Sequence, residues 1–352
     1  MRSPGLAAGL ALLALASGVL AAQSTRRPSL PIPTTNNAVA ALERGAGAGL
    51  YSLLGIDSTM KWSGITRRAF HLPRGARAWR ELPPVPGAVG RLAALAFGVR
   101  GKVYLLGGYT VDSAGNEKSV PSVDVWNPVT RRWSAGSPIP VAVDDAVGGV
   151  WRDSIIVLVT GWHDTDNVAE VQLYDPSRDR WMRGTPFGGT PVFGGTGTVA
   201  GDHFLVIGGA RRAPGPVKYT MASQAWLGRF NPLEPERIAW DSVAPAPGPP
   251  RYRGAALGCG GRIIVAGGTG NPYNYNGIGY DGQPSSPLGD VVAFDVRSLS
   301  WRPAAAPGVP TMDHRSLVAF DGRAWLIGGM RAGQQPSAPV ISWPLAGCAR
   351  GR

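Results

Sequence analysis

The chain has 352 residues, with 35 Lys or Arg against 23 Asp or Glu, so that its net charge is +12. Glycine and proline together make up about 23% of the chain, a composition that would indicate disorder if it lacked a periodic pattern. The cations are scattered along the sequence and form no lysine-rich block, which argues against nucleic acid as a partner. Acidic glycans or anionic envelope polymers suit such a surface better. A general compositional bias toward Arg would explain the charge equally well.

The N-terminus has the pattern of a secretory signal peptide. Arg2 precedes an apolar stretch from Leu6 to Leu20, and small residues follow at a plausible cleavage point. The stretch is too short for a stable membrane anchor, although a buried N-terminal helix would also be apolar. We therefore expect residues 1–22 to be removed and the mature chain to be periplasmic or secreted, with no membrane span.

From residue 50 onward one phrase recurs along the chain. An apolar run ends in a glycine doublet, and after a polar loop an aromatic segment leads to a tryptophan, as in VYLLGG (103–108) with VWNPVTRRW (125–133). The repeat tryptophans are Trp79, Trp133, Trp181, Trp240 and Trp301. Runs rich in Val, Ile and Leu are typical of buried strands, and the glycines permit unusual backbone torsions. The repetition predicts stacked β-sheet units, since one unit cannot bury its own apolar face.

The spacing of these tryptophans is close to the roughly 50-residue period of kelch repeats. Over about residues 30 to 343 the chain resembles the kelch family of β-propellers. The resemblance implies an all-β fold, a six-bladed kelch-type β-propeller. We predict one domain at residues 27–346, followed by a short tail at 347–352.

The sixth unit supplies the evidence for how the ring closes. It begins at VAFDGRAWLIGGM (318–330) and ends after VISWPL (340–345) without a fourth strand. Near the start of the mature chain, LPIPTTNNAVAA (30–41) resembles SPIPVAVDDAVGG (137–149), which links two blades. We predict that an N-terminal strand at 27–33 joins the C-terminal blade and that 37–43 begin the first blade. Pairing the termini in one blade removes free strand edges.

Chain direction alternates within a blade, so the loops that enter the inner strands share a face with the loops after the glycine doublets. The residues that enter the inner strands are predicted to ring the central channel. Carboxylates and imidazole suit proton transfer there, and guanidinium groups suit a carboxylate ligand. The predicted catalytic residues are Asp145, Asp313 and His314, and the predicted ligand-binding residues of the ring are Asn37, Arg91, Arg253 and Arg315. Alternatively, Arg91 and Asp145 simply neutralise each other.

The fifth unit carries the longest loop, NPYNYNGIGYDGQPSSPLGD (271–290). Loops of this length usually have a function, and alternating Tyr and Asn residues suit stacking on sugar rings and pairing with hydroxyl groups. The predicted ligand-binding residues at the rim are Tyr273, Asn274, Tyr275 and Tyr280, together with Lys218 from the fourth unit. A loop that packs on itself and shields the channel is the alternative.

Two cysteines are present in a chain that we expect to be exported. Cys259 ends an inner strand and Cys348 lies near the C-terminus, so a disulfide between adjacent blades is predicted, with two unpaired buried thiols as the alternative. With only four histidines and neither cysteine placed beside a tyrosine, an activity like that of galactose oxidase is improbable. We predict no cofactor and no metal.

The chain resembles the periplasmic N-acetylneuraminate epimerases, which are sialic acid mutarotases. The resemblance lies in the export signal, the single six-bladed domain, the N-terminal LPxP segment and the long fifth-unit loop. The resemblance implies a Glu after the fourth doublet and an Arg some residues on, where this chain has Ala210 and, approximately, Lys218. We predict an exported propeller that binds a carbohydrate or acidic sugar in its channel, with mutarotase-like isomerase activity as the enzymatic form of that hypothesis. The alternative is a non-catalytic module that binds an envelope protein.

Overall fold

A computed structural model describes residues 27–345, and these form a six-bladed β-propeller. The predicted signal peptide, the tail and Cys348 lie outside the described residues. One short 3-10 helix, Trp62–Gly64, interrupts a succession of antiparallel strands. Nowhere in residues 27–345 is there a helix with the length and apolarity needed to cross a membrane.

Each blade is an antiparallel sheet whose first strand in the sequence lies innermost. Blade 1 contains β1 (Ala38–Leu42), β2 (Gly49–Leu53), β3 (Ala69–Pro73) and β4 (Arg80–Leu82). Blade 2 contains β5 (Leu95–Val99) and β6 (Lys102–Leu106), a loop hairpin of β7 (Tyr109–Val111) and β8 (Glu117–Ser119), then β9 (Val123–Asn127) and β10 (Arg132–Ala135). Blade 3 contains β11 (Val147–Trp151) and β12 (Ile155–Val159), the hairpin β13 (Trp162–His163) and β14 (Asp166–Asn167), then β15 (Val171–Asp175) and β16 (Arg180–Arg183).

The remaining three blades follow the same order. Blade 4 contains β17 (Thr196–Ala200) and β18 (His203–Ile207), the hairpin β19 (Ala210–Arg212) and β20 (Tyr219–Met221), then β21 (Ala225–Phe230) and β22 (Ile238–Ser242). Blade 5 contains β23 (Ala255–Cys259), β24 (Arg262–Ala266), β25 (Val291–Asp295) and β26 (Ser300–Pro303). Blade 6 contains β27 (Val318–Phe320) and β28 (Arg323–Leu326), the hairpin β29 (Met330–Arg331) and β30 (Gln335–Pro336), then β31 (Ile341–Pro344).

The repeat tryptophans join each blade to the connector that precedes it. The indole N–H of Trp133 donates to the carbonyl of Pro83 at 2.9 Å, and that of Trp181 donates to Ser137 at 2.8 Å. Trp79 of blade 1 makes the same kind of bond, at 3.0 Å, to the carbonyl of Pro28. The N-terminal segment therefore occupies the place of a connector between blades 6 and 1.

This placement corrects the predicted strand at 27–33. The segment closes the ring onto blade 6, where the Leu30 N–H donates to Ala338 at 2.8 Å and Thr34 pairs with Ser337. However, residues 27–33 form no regular strand, and the sheet of blade 6 has three strands within the described chain. The physical reason is that three prolines, Pro28, Pro31 and Pro33, remove the N–H groups that a ladder needs. The predicted start of blade 1 agrees with β1.

One residue per blade, just before the inner strand, adopts a left-handed backbone conformation. These residues are Asn36, Ala93, Asp145, Gly194, Arg253 and Asp313, with φ between 49° and 63°. The residue before each of them pairs with the residue that follows a glycine doublet or its equivalent, as in Leu92 with Tyr109 and Tyr252 with Thr269. Both loop classes therefore lie at one end of the propeller, which we call the loop face. We call the other end, where consecutive strands are joined by short turns, the turn face.

Gly194 tests the packing of this ring, because a Cβ added there would lie 2.1 Å from the ring of Tyr252. We expect Gly194→Ala to lower the free energy of unfolding by about 2–4 kcal/mol, from left-handed strain plus overpacking. Gly201→Ala has a similar φ of 59° with no atom within 4 Å of the new Cβ, so it should cost only about 1–2 kcal/mol. Urea denaturation of both variants measures the difference, and equal losses would contradict the packing account.

Candidate functional site

Four charged side chains meet where the propeller axis reaches the loop face. We call Asp145, Arg253, Asp313 and Arg315 the axial ion cluster. The guanidinium of Arg253 donates from Nε to Asp145 at 3.1 Å and from Nη1 to Asp313 at 3.3 Å. That of Arg315 donates to Asp145 and, at 3.0 Å, to Asp313. Since these residues enter the inner strands of blades 3, 5 and 6, the cluster ties together blades that are distant in sequence.

The axial ion cluster is buried and balances its own charge. All four side chains are at most 4% exposed, and two cations face two carboxylates. Blade 1 completes the coordination of Asp313, which accepts hydrogen bonds from Thr35 Oγ1 at 2.7 Å and Asn36 Nδ2 at 3.1 Å. Burial alone would oppose ionisation of Asp145, but the guanidinium groups of Arg253 and Arg315 outweigh it and lower the pKa of that carboxyl.

The sequence prediction thus brings together the right residues but assigns them roles that their contacts do not favour. Arg253 and Arg315 are engaged by internal carboxylates and do not present an open guanidinium to a ligand. Asp145 accepts three hydrogen bonds from guanidinium groups, which makes it a poor proton acceptor. Asp313 also accepts hydrogen bonds from both guanidinium groups. The cluster closes the axis at the loop face and orders the loops around it.

The loop at residues 271–290 lies over this cluster. Tyr273 is fully buried, and its ring and that of Tyr252 both pack against the Arg253 guanidinium, with centroids at 5.2 and 4.9 Å. Further along, Tyr275 packs against an apolar group in blades 1 and 2 that includes Ile56 and Tyr109. The loop therefore crosses from blade 5 to the opposite side of the ring. Internal bridges pair Tyr273 with Gly279 and Ile278 with Pro284. These contacts agree with the alternative of a self-packed shield.

Between this loop and the hairpins of blades 2 to 4 there is a small cavity of about 20 Å³. It is lined by Tyr109, Glu117, Asp144, Asp145, Trp162, Phe193, Tyr219, Arg253 and Tyr280. This volume holds about one water molecule. We call it the loop-face cavity. Its lining combines aromatic rings with three carboxyl groups, so it is the described site where polar chemistry and apolar surface meet most closely.

Two of those carboxyl groups differ from the ion-paired Asp145. Asp144 is fully enclosed, and its Oδ2 accepts a hydrogen bond from Ser119 Oγ at 2.5 Å. Burial and the neighbouring Asp145 charge raise the pKa of Asp144 well above its usual range. Glu117, at the exposed start of β8, reaches the cavity from the side, and desolvation raises the pKa of its carboxyl as well. Carboxyl groups with raised pKa values in a cavity are candidate proton donors and acceptors.

Several other predicted site residues lie away from the cavity. Arg91 pairs with Asp124 at 2.5 Å inside blade 2, so its predicted place on the channel and its alternative pairing with Asp145 are both wrong. The Asn37 amide donates to Ser52 at 2.9 Å and to the carbonyl of Ile327 at 3.3 Å, which makes it a link between blades 1 and 6. These polar groups point into the sheets because the strands there need internal partners.

His314 is also enclosed within the fold rather than open to the channel. Its Nε2 lies 2.8 Å from Thr311 Oγ1, and burial lowers the pKa of the imidazole to about 4. The Asn274 side chain accepts from the neighbouring Tyr275 N–H at 2.7 Å, so it stabilises the loop locally. In contrast, Lys218 is exposed, and its Nζ lies 5.1 Å from the centroid of the Tyr219 ring, which lines the cavity. Tyr280 also lines the cavity, so ligand roles for Lys218 and Tyr280 stay predictions.

The metal and disulfide predictions concern different side chains. Across residues 27–345 no group of three or more His, Cys, Asp or Glu side chains has the geometry to hold a metal ion. Cys259 is buried at the end of β23, while its predicted partner Cys348 lies outside the described residues. The pairing between them stays a prediction.

Sequence reasoning missed Glu117 and undervalued Asp144. The segment DSAGNE (112–117) carries oxygen ligands but lacks the spacing of a calcium loop, so its sequence assigns Glu117 no role. The signal that points to Glu117 is its position, because it begins the returning strand of the hairpin after the blade 2 doublet. Asp144 precedes the left-handed residue of blade 3, where other blades carry Leu92, Phe193 or Tyr252. A carboxyl at a position where the other blades carry uncharged residues is the available signal.

Comparison with known proteins agrees with this architecture. The Kelch motif family model matches residues 91–140, which span blade 2. A solved structure described as that of YjhT superimposes with a TM-score of 0.72 at 18% identity, and covers 91% of this chain and 97% of its own. The described chain is therefore a six-bladed β-propeller, and it carries a kelch motif in blade 2.

Among curated proteins, similarities extend over more than half of the chain. The N-acetylneuraminate epimerase of Pasteurella multocida (strain Pm70) is 23% identical over 93% of this chain and 94% of that protein. Kelch domain-containing protein 3 of Homo sapiens is 24% identical over 68% of this chain and 63% of that protein. The chain is thus a distant relative of an epimerase, with similarity to kelch proteins of other kinds.

The axial ion cluster makes a direct prediction about stability. Arg253→Ala leaves Asp145 and Asp313 buried with half of their guanidinium partners removed, so we expect a loss of about 3–5 kcal/mol in the free energy of unfolding. The matched control is Arg68→Ala, whose pair with Glu81 is about half exposed and should contribute at most about 1 kcal/mol. Chemical denaturation measures both, and a loss in Arg253→Ala as small as the control's would show that the cluster is not structural.

Asp144 predicts a specific dependence on pH. A carboxyl whose pKa is raised by folding stabilises the fold fully below its unfolded pKa of about 3.9, and this contribution is lost as the pH rises toward the folded pKa. Asp144→Asn cannot ionise, so its unfolding free energy relative to wild type should increase above about pH 4, by up to about 1.4 kcal/mol per pH unit. Exposed Asp241→Asn is the control and should show no such trend. A pH-independent difference for Asp144→Asn would mean that this carboxyl is ionised in the fold.

Proposed function

We propose that this chain is an exported carbohydrate-binding propeller that binds an acidic sugar at the loop face and accelerates exchange between its anomers. The observation that carries the proposal is the loop-face cavity, where Glu117 and Asp144 meet aromatic rings beside the exposed Lys218. The similarity to an N-acetylneuraminate epimerase over 93% of the chain supports the choice of an acidic sugar. Export is part of the proposal and rests on the N-terminal sequence pattern alone.

Exchange between anomers opens and recloses a hemiketal ring. The anomeric hydroxyl loses a proton while the ring oxygen gains one, so an acceptor and a donor on either side of the sugar suffice. In our proposal Glu117 accepts the proton, because it lies at the exposed side of the cavity. Asp144 holds a proton that it can donate, because burial and the Asp145 charge keep it neutral. The two carboxyl groups exchange roles when the ring recloses.

Recognition of the sugar is divided between charge and stacking. The axial arginines are paired internally, so Lys218 is the cation that we assign to the sugar carboxylate. Tyr280 and Tyr219, whose rings meet edge to face at 4.4 Å, offer apolar surface for the C–H face of the ring. The cavity of about 20 Å³ is far smaller than a monosaccharide, so binding requires the part of the loop around Tyr280 to move outward.

The proposal predicts measurable catalysis with N-acetylneuraminate as the probe. Proton NMR exchange spectroscopy should show faster exchange between the α and β anomers with the protein than in buffer. Glu117→Gln should remove at least about a hundredfold of the acceleration, since a general acid or base contributes 10² or more. Lys218→Met should instead weaken binding by about tenfold or more, the value of a charged hydrogen bond, and leave the rate at saturation nearly unchanged.

The controls are Asp241→Asn and Lys102→Met, which likewise replace a carboxyl by an amide and a lysine by methionine, at exposed sites outside the cavity. Both should match wild type. If wild type binds the sugar without accelerating exchange, the catalytic part of the proposal is wrong. If it neither binds nor accelerates, the loop face is better described as a non-catalytic interaction surface.

A further inference from the structure

The turn face carries three exposed apolar side chains in corresponding turns of its blades. Of the six large apolar residues that are exposed in the described chain, three lie at tips of the turns between the third and fourth strands of blades. They are Val129 in blade 2, Leu233 in blade 4 and Leu299 in blade 5, with exposures of 75%, 91% and 49%. Isolated apolar residues on a surface are ordinary. However, Val129 and Leu233 occupy equivalent positions, two residues after the asparagine that caps each turn, and Leu299 lies in the corresponding turn of blade 5, at the position of Arg131.

These tips are held in a fixed conformation. The Asn127 side chain accepts the Val129 N–H at 2.9 Å, and the Asn231 side chain accepts the Leu233 N–H at 3.0 Å. In blade 5, Asp295 caps the equivalent turn by accepting the N–H groups of residues 297 and 298. Because the turns are capped from within, their apolar side chains are directed outward without a partner in the described chain. Blades 2, 4 and 5 do not lie on one line across the propeller, so the three tips are spread over the turn face.

Cations accompany the apolar tips. The turns of blade 2 bring four exposed cations to this face, Arg100, Lys102, Arg131 and Arg132, and Asp153 of blade 3 lies beside Arg100. Arg297 is two residues from Leu299 in blade 5. The turn of blade 4 carries Glu234 and Glu236 beside Arg237, so its contribution is apolar rather than electrostatic. The positive charge that accompanies the apolar tips therefore comes mainly from blade 2.

We infer that the turn face docks on an anionic lipid bilayer. A bilayer supplies both elements that the face requires, negative charge at the headgroups and an apolar layer a few ångströms beneath them. An acidic polysaccharide would satisfy the arginines but offers little apolar surface to three aliphatic side chains. The tips are convex and separated, which suits a deformable surface better than a groove-forming protein partner. Docked in this way, the propeller directs its loop face away from the membrane. The inference does not depend on the proposed function.

Co-sedimentation of the purified protein with vesicles tests the inference. At low ionic strength the protein should sediment with vesicles of phosphatidylcholine and phosphatidylglycerol, and not with phosphatidylcholine alone. A variant with Val129→Ser, Leu233→Ser and Leu299→Ser should lose at least about tenfold in affinity, since it keeps the charge but removes the inserting side chains. A variant with Arg131→Gln, Arg132→Gln and Arg297→Gln should lose about fivefold per arginine.

A charge-matched control changes three exposed cations of the loop face: Lys61→Gln, Arg211→Gln and Arg331→Gln. This control should bind vesicles like wild type, and thermal unfolding should show that all variants are folded. Absence of binding by wild type, or equal loss in the control, would overturn the inference. If the aliphatic variant binds like wild type and dextran sulfate competes for the face, the partner is a soluble polyanion and the lipid assignment is wrong.

Discussion

The arrangement of two arginines and two aspartates on the axis is the constraint on which the loop face depends. Asp145, Arg253, Asp313 and Arg315 come from blades 3, 5 and 6, and blade 1 contributes further donors to Asp313. Charges with so little access to solvent are tolerable only when they are paired and hydrogen-bonded. The ring must therefore close in one register for the cluster to form. Once formed, the cluster holds the Arg253 guanidinium against which Tyr273 of the long loop packs.

The cluster also separates two carboxyl groups that are adjacent in sequence. Two guanidinium groups outweigh burial and lower the pKa of Asp145, whereas burial, together with the Asp145 charge, raises the pKa of its neighbour Asp144. The chemistry that we propose for the loop-face cavity follows from this difference rather than from any unusual residue. An ion pair that stabilises the scaffold thereby determines the protonation of the group above it. The proposed chemistry therefore depends on the peptide unit that joins Asp144 to Asp145.

Much of the scaffold could be predicted from the sequence, because repetition makes it redundant. The glycine doublets and the tryptophans recur, so blade number, strand order and the location of both loop classes follow from spacing. Closure of the ring is harder to predict from the sequence. The segment at 27–33 resembles a blade connector in sequence and forms one in the structure, but its prolines prevent the predicted strand. The resemblance to SPIPV in blade 3 was the better guide than the need for a fourth strand.

The site could be predicted only in part, since its contacts are not repeated. Position in the repeat placed Asp145, Arg253, Asp313 and Arg315 together, yet no sequence pattern shows which cation pairs with which carboxylate. Arg91 lies two residues before the left-handed residue of its blade, at the position of Arg251 rather than of Arg253, and it pairs with Asp124 within its own blade. Tyr273 and Tyr275 alternate with asparagines as sugar-binding residues do, and both pack inward because the loop folds on itself. Side-chain direction within a long loop depends on tertiary contacts that spacing does not encode.

The central claim is that the axial ion cluster is structural and that ligand chemistry takes place above it. A crystal structure of the protein with bound N-acetylneuraminate tests this most directly. The account predicts that the four ion pairs keep their present partners while the sugar contacts Glu117 and Lys218. A sugar carboxylate bound to Arg253 or Arg315, with Asp145 displaced from either guanidinium, would contradict it.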